Sequence, residues 1–365
     1  MSRFGFGGVL LLVGCAAAPP ADDPFGVPTR PVIYKTADCP PPLVRPTRSL
    51  DEPDALPTLA GGPQAGPLAV THAGVGTPPD LADGALRAAI AARQVLLARQ
   101  PALEAAVAGT VVLEDDPRYN AGTGANIRLD GKTIQMDASL MTDDGAFAAV
   151  AVIERVKNPI RAARLVLDSP HVLMAGEGAT VFAHRAGLPD EVPVSPEAQT
   201  KYEARLERLR SQYQSAGTLE FDWKKYWNFP NELPADMEAW RHGGDTVGTV
   251  VRDVEGGFAA TLSTGGTSVT LYGRVGDVPV YGAGLYAGPA GAVACTGHGE
   301  VIIREALART VYEQIASGVS ARAAVHRAAS DFPEDSSVGL IAVDRAGWGV
   351  AANREMAYGV AKDAD

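Results

Sequence analysis

The stretch His242-Gly243-Gly244-Asp245-Thr246-Val247-Gly248 decides the reading of this chain. A threonine directly after an acidic residue, in a glycine-rich turn, makes little sense as helix or strand core. It makes sense if the Asp245–Thr246 bond is cut. The freed α-amine, with a reference pKa of about 8, can then take the proton from the hydroxyl of the same residue. That is the N-terminal-threonine form of the nucleophile–base pair. Taken alone, Thr246 is a β-branched residue of good strand propensity at a strand start. Three further motifs outweigh that reading, in this order: Ser263-Thr264-Gly265-Gly266, Gly273-Arg274-Val275-Gly276-Asp277 and Cys295-Thr296-Gly297-His298-Gly299-Glu300.

Upstream of the cut, Leu68-Ala69-Val70-Thr71 reads as a buried strand running into the turn His72-Ala73-Gly74-Val75-Gly76. One Ala-rich helix is predicted from about Asp83 to Ala108, with Leu and Ile at helical spacing. The loop Leu113-Glu114-Asp115-Asp116-Pro117-Arg118-Tyr119-Asn120-Ala121-Gly122-Thr123-Gly124 follows. Gly131–Ala138 reads as a hairpin strand, Phe147–Val152 as another, and Lys157-Asn158-Pro159-Ile160 as a helix start. His171–Gly178 reads as a strand closing into a glycine turn; His171 and His184 are given no role. Downstream, Thr246–Asp253 and Phe258–Ser263 read as a hairpin of apolar-rich strands turning at Gly256-Gly257. A helix over Val301–Ala316, a second over Ala321–Ala329, and a closing hairpin of Val338–Val343 and Trp348–Asn353 complete the expected elements.

Together the four motifs, with the Asn-Ala-Gly-x-Gly, Asp-Ala-Ser-Leu-Met and Val-Lys-Asn-Pro-Ile stretches, resemble the plant-type asparaginase and isoaspartyl peptidase family of N-terminal-nucleophile hydrolases. The likeness covers about Leu68 to Gly359, with His72-Ala73-Gly74 where the family has an His-Gly-Gly turn. It implies an α+β fold, a four-layer αββα sandwich, in one domain that becomes two subunits, two such heterodimers pairing as (αβ)2. It implies that Thr246 attacks the side-chain carbonyl of a small-molecule or dipeptide substrate and forms an acyl-enzyme. Thr264 would tune the Thr246 hydroxyl or amine, and Thr296 and Gly297 would line the oxyanion hole. Asn120 is either an ordinary turn residue or, as the resemblance has it, an oxyanion or water-positioning residue. Arg274 would pair with the substrate α-carboxylate and Asp277 with its α-ammonium, though such an i, i+3 pair is also compatible with a surface salt bridge. Gly299 would permit close backbone approach. No cofactor is implied for catalysis. A structural Na+ is implied, held by main-chain carbonyls of Leu113, Glu114, Asp116, Tyr119, Ala121 and Thr123, a ligand type that suits a hard cation.

The remaining sequence bounds the setting. A chain of 365 residues, 46% hydrophobic, can bury a substantial core, and its formal charge of −11 argues against nucleic-acid binding. Met1–Gly14 has one basic residue, Arg3, then Val9-Leu10-Leu11-Leu12-Val13, and ends at Cys15. This describes an exported segment. Cys15 resembles a bacterial lipobox cysteine, the alternative being an ordinary signal cut near Ala16–Ala18. With Ala16 after it, an acylated Cys15 predicts a lipid anchor, facing the periplasm from the outer membrane. Residues 16–66 read as a Pro/Ala-rich tether, 67–188 as the α-subunit core, 189–245 as a linker and 246–365 as the β-subunit. Cys39 and Cys295 lie in contexts too different for a disulfide. The linker carries a charged helix over Lys201–Gln214 and then Phe221, Trp223, Tyr226, Trp227, Phe229 and Trp240. These aromatics are read as a tail burying against the domain, with sugar stacking or partner docking as the alternatives. Glycosylasparaginase is the nearest rival activity, but that group usually carries Ser-Thr-Asn-Gly and Thr-Gly-Asn-Gly where this chain has Ser-Thr-Gly-Gly and Thr-Gly-His-Gly. An envelope-anchored binding lipoprotein with a dead site is the rival from another class.

Overall fold

The computed structural model describes residues 66–204, 227–230, 246–267 and 270–362, with the backbone of 60–63. Cys15, Cys39, most of the tether and of the linker, and Asp245 lie outside the described residues. The chain begins with β1 (Ala60–Pro63), β2 (Leu68–Val75), α1 (Ala82–Leu97), α2 (Ala102–Asp115), β3 (Met136–Thr142) and β4 (Phe147–Ile153). Then come α3 (Pro159–Val166), β5 (Leu173–Ala175), α4 (Gly176–Arg185) and a helical run at 196–204, α5. After Thr246 follow β6 (Val247–Arg252), β7 (Phe258–Thr264), β8 (Leu285–Gly288), β9 (Gly291–Gly297), α6 (Gly299–Glu305) and α7 (Leu307–Ala316). The last elements are α8 (Ala321–Asp331), β10 (Val338–Asp344), β11 (Gly347–Ala352) and β12 (Met356–Ala361).

The strands form two sheets. One has the order β1-β11-β10-β9-β8 and the other β12-β2-β6-β7-β3-β4-β5. All pairings are antiparallel except β4 with β5. The hairpin β6–β7, which follows Thr246, is wedged between β2 and β3, which precede it. A cut at Thr246 therefore leaves both products hydrogen-bonded into one sheet.

Apolar side chains of the two sheets meet: Leu68, Val70, Val250, Phe258 and Leu262 pack with Leu285, Ile341, Val343 and Val350. Their other faces are covered by helices. Ala89, Ala92, Leu96 and Ala105 of α1 and α2 pack on Ala69, Val251 and Ala259. Ile160, Ala163 and Ala179 of α3 and α4 pack on Leu140, Ala148 and Val150. Leu307, Val311 and Val325 of α7 and α8 pack on Val293, Leu340 and Ala342. Burial on both faces explains why β6, β7, β9 and β10 read as continuous apolar runs rather than alternating ones. The class is α+β, as expected.

Several boundaries differ from the sequence expectation. The single helix over 83–108 is two, α1 and α2, because Arg99 adopts φ +57° and Pro101 bars the residue before it from helical geometry. The helix over 301–316 is likewise divided, at Ala306, which takes φ +44° between α6 and α7. The strand expected at Gly131–Ala138 lies further on, as β3, and the glycine turn after His171 is the start of α4. His72–Val75 continues β2 instead of turning; the positive φ values fall on Gly74 (+104°) and Gly76 (+96°). Ala73 is thus free of the conformation that demands glycine, and the His-Ala-Gly departure is accommodated. Among the described residues no helix is long and apolar enough to cross a membrane.

Candidate active site

Thr246 opens β6 and is 5% exposed. Its backbone nitrogen donates to Thr296 Oγ1 at 3.2 Å, and Val75 N donates to the same oxygen at 3.3 Å. Thr296 lies in β9 of the other sheet, so one hydroxyl joins both sheets at the Thr246 nitrogen. Val247 pairs with Ser263, so extending the register by one residue brings Thr246 level with Thr264. Thr264 Oγ1 accepts from Gly266 N at 3.0 Å. Beneath Thr246 lies His72, fully buried beside Gly248, where a Cβ would come 2.5 Å from Nε2. Burial pushes its pKa down to about 3, opposed by the Thr246 backbone, so the ring is neutral at ordinary pH.

Asn120 is placed as a clamp. Its Nδ2 donates to Gly266 O at 2.7 Å, its carbonyl accepts from Gly265 N at 3.0 Å, and its Oδ1 accepts from Asn126 N at 2.9 Å. Asn126 Nδ2 adds a second bond to Gly266 O at 2.9 Å. Arg128, fully buried, donates to Gln135 O and turns Nη1 to within 2.4 Å of where a Cβ on Gly266 would stand. Burial lowers its pKa to about 10, which still leaves it charged. Sequence reasoning passed over Asn126 and Arg128; the only local sign is two polar residues alternating with apolar Ile127 and Leu129 after the Thr-Gly turn.

The loop between β7 and β8 carries Arg274 and Asp277. Asp137 of β3 holds it by accepting from Gly276 N at 3.3 Å, and Gln135 Oε1 accepts from Gly273 N at 2.8 Å. Arg274 donates through Nε (3.1 Å) and Nη2 (2.9 Å) to Glu300 Oε1, which the sequence reading had given no role. Arg274 is not a plain surface residue: its side chain is 17% exposed. Asp277 is 4% exposed, and burial raises its pKa to about 7 against the pull of Arg274. Its Oδ2 has no hydrogen-bond partner. Gly299, three residues beyond Thr296, lies between the two: a Cβ there would be 2.8 Å from Asp277 Oδ1 and 3.0 Å from Arg274 Nη2. Gly297 takes φ +137° with Ser337 O 2.1 Å from its would-be Cβ, so only glycine fits. His298 Nδ1 pairs with Ser336 Oγ at 2.9 Å and stays a local residue.

Arg274 and Asp277 thus bring a cation and a buried carboxylate to the backbone of Gly299, three residues after the threonine whose hydroxyl accepts from Thr246 N. Comparison with known proteins places the arrangement. The family model described as Asparaginase matches residues 78–365. The chain belongs to that family. It is 38% identical over 307 residues to a plant-type L-asparaginase of Pyrococcus horikoshii, covering 80% of this chain and 96% of the relative. It is 33% identical over 311 residues to a human isoaspartyl peptidase/L-asparaginase, covering 81% and 94%. A relative of that name from Macaca fascicularis is 33% identical over 310 residues, covering 81% and 94%. Membership makes this chain a hydrolase.

The carbonyls expected to hold Na+ lie in the last turn of α2 and in the loop after it. Leu113 and Glu114 end α2, where carbonyls lack helical partners, and Asp116, Tyr119, Ala121 and Thr123 follow in the loop back to Asn120 and Gly124. Asp116 O accepts from Tyr119 N at 3.2 Å and Ala121 O from Gly124 N at 3.1 Å. Lys201 of α5 donates to Gly124 O at 2.8 Å and to Tyr119 O at 3.5 Å. The ammonium is thus close to Gly124 O, outside the set expected to hold Na+, and more distant from Tyr119 O, which belongs to it. In the linker, Phe229 is buried against Tyr272 with ring centroids 5.7 Å apart, and Asn228 bonds the Tyr272 backbone at 2.8 and 3.2 Å. The described part of the aromatic tail does pack on the domain. Cys295 is a buried free thiol in β9.

Proposed function

We propose that this chain is an autoprocessing N-terminal-threonine amidohydrolase acting on β-aspartyl peptides and L-asparagine. The observation that carries it is the convergence of Arg274 Nη2 and Asp277 Oδ1 on Gly299. A guanidinium and a carboxylate facing one point fit the α-carboxylate and α-ammonium of an amino acid, leaving its side-chain amide as the group presented for attack. In maturation the Thr246 hydroxyl attacks the Asp245 carbonyl, the peptide nitrogen leaves as the Thr246 amine, and water hydrolyses the resulting ester. In catalysis that amine takes the hydroxyl proton as Oγ1 attacks the substrate amide carbonyl. The leaving amine departs with the proton, and water then hydrolyses the acyl-enzyme. Thr296 Oγ1 is the acceptor that keeps the amine in place, Gly297 with Thr296 would face the oxyanion, and Thr264 and Asn120 hold the strand end beside them.

The same reading takes the two sheets with their outer helices as the four-layer αββα sandwich of the N-terminal-nucleophile hydrolases. Residues 16–245 and 246–365 become the two subunits, pairing as (αβ)2. It also keeps Cys15 as a lipidation site on the strength of the sequence alone. Cys15→Ser should move the protein from the envelope to the soluble fraction without loss of activity. The central test is denaturing electrophoresis of the purified protein with mass spectrometry of the smaller fragment. Two fragments, the smaller beginning at Thr246, are expected, while Thr246→Ala stays one chain and inactive. A single intact wild-type chain would favour the binding-lipoprotein reading instead.

A further inference from the structure

Main-chain carbonyl oxygens crowd around Gly122 and around Gly124 in the loop after α2. A Cβ on Gly122 would fall 2.5 Å from Glu114 O and 2.8 Å from Lys157 O, and one on Gly124 2.0 Å from Tyr119 O and 2.5 Å from Pro117 O. Converging carbonyls concentrate negative potential and call for a positive charge. Lys201 answers it, with Nζ 2.8 Å from Gly124 O and 3.5 Å from Tyr119 O. The ammonium is compact and carries three donors, so it can bridge carbonyls much as a monovalent ion does. Its helix is capped at its own N-terminus and tied to the domain just beyond the contact. Ser195 Oγ accepts from Ala198 N at 3.0 Å, and Tyr202 donates to Leu129 O at 3.3 Å with its hydroxyl against Gly131.

We propose that Lys201 is the resident cation of the 113–124 loop, supplying from within the chain the charge that a bound Na+ would otherwise supply. A Na+ on Tyr119 O, at an ordinary oxygen–cation distance, would stand within roughly 6 Å of this ammonium, where like charges repel. The two cations therefore compete for the loop. Because the loop carries Asn120, which clamps Gly265 and Gly266 next to Thr264, Lys201 is a positioning residue acting through the backbone of Tyr119 and Gly124. The inference concerns the stability of the loop and does not depend on the cleavage or the substrate proposed above.

Thermal unfolding at constant ionic strength in choline chloride, KCl and NaCl tests it. The wild type should have the same Tm in all three salts, within about 1 °C. Lys201→Met should unfold several degrees lower in choline chloride and regain most of that loss in NaCl, with a saturable dependence on Na+. A wild-type Tm that climbs by several degrees with Na+ would overturn the proposal, since the loop would then take an ion with Lys201 in place. A Lys201→Met protein as stable as wild type in choline chloride, or destabilised but indifferent to Na+, would overturn it as well. Should Lys201→Met yield no folded protein, Lys201→Gln takes its place, and the wild-type salt series still decides.

Discussion

The backbone nitrogen of Thr246 donates to Thr296 Oγ1 at 3.2 Å, across the gap between two sheets, and that oxygen also accepts from Val75 N at 3.3 Å. On the function proposed above, the same nitrogen becomes the general base. Thr296→Val keeps the shape and removes the acceptor. Loss of a hydrogen bond to a charged or charge-developing group is worth about 1.5–3 kcal/mol. Both the rate of chain cleavage and kcat should fall about 10- to 100-fold, while Thr296→Ser keeps most of each. Cleavage followed by electrophoresis, and steady-state rates on the matured fraction, check this; wild-type rates for Thr296→Val would remove Thr296 from the mechanism.

Gly299 offers a sharper cut between maturation and binding. A methyl there would lie 2.8 Å from Asp277 Oδ1 and 3.0 Å from Arg274 Nη2, in the space assigned to the substrate's α-carbon substituents. Gly299 is not in the positive-φ region, so alanine brings no backbone strain. Gly299→Ala should therefore mature normally and show a KM for L-asparagine raised by tenfold or more. Failure to mature, or an unchanged KM, would each contradict the placement. Gly297→Ala is the contrasting control, because its φ of +137° and the Ser337 carbonyl leave no room for a side chain.

How much of this was legible beforehand follows from which interactions are local. The hairpin expected at Thr246–Asp253 and Phe258–Ser263 is found as β6 and β7, because apolar runs around Gly256-Gly257 are a short-range signal. The motifs also meet in space, Thr246 with Thr296 and, separately, Arg274 and Asp277 with Gly299. β12 was not foreseen: Met356–Ala361 becomes a strand only because β2, nearly three hundred residues earlier, offers its edge. Arg128 was passed over because a charged residue in a polar stretch reads as surface, whereas it is buried under Gly266. That Thr296 accepts from the Thr246 nitrogen depends on how two sheets stack, which no spacing encodes.

If Asp277 takes the substrate's ammonium as proposed, recognition acquires a pH dependence. Burial raises its pKa to about 7, so in the free enzyme it gains a proton as pH falls through that value. A protonated Asp277 cannot pair with the substrate's ammonium. The ratio of kcat/KM for L-asparagine to that for its desamino analogue should therefore fall about tenfold per pH unit below about 7. Taking the ratio cancels the titration of the Thr246 amine, which both substrates need. A ratio flat from pH 5 to 8 would show that Asp277 does not take the ammonium.

Glu114 makes the corresponding prediction for stability. It is fully buried, its Oε1 accepts from Ile160 N at 2.9 Å, and its Oε2 faces Ser263 without a hydrogen bond. Burial raises its pKa from the ordinary 4.5 to about 8, against the pull of its hydrogen-bonding neighbours. The folded protein thus holds this proton more tightly than the unfolded chain does. The stability this contributes is complete below about pH 4.5 and is lost progressively as pH rises through about 8. Glu114→Gln keeps an acceptor for Ile160 N and has no proton to lose. Relative to wild type it should be near neutral at pH 5 and more stable by a few kcal/mol at pH 9, seen as a urea midpoint gap that widens with pH. A gap that stays constant, or one that narrows toward pH 9, would mean that Glu114 is ionised in the folded state and that its charge is compensated.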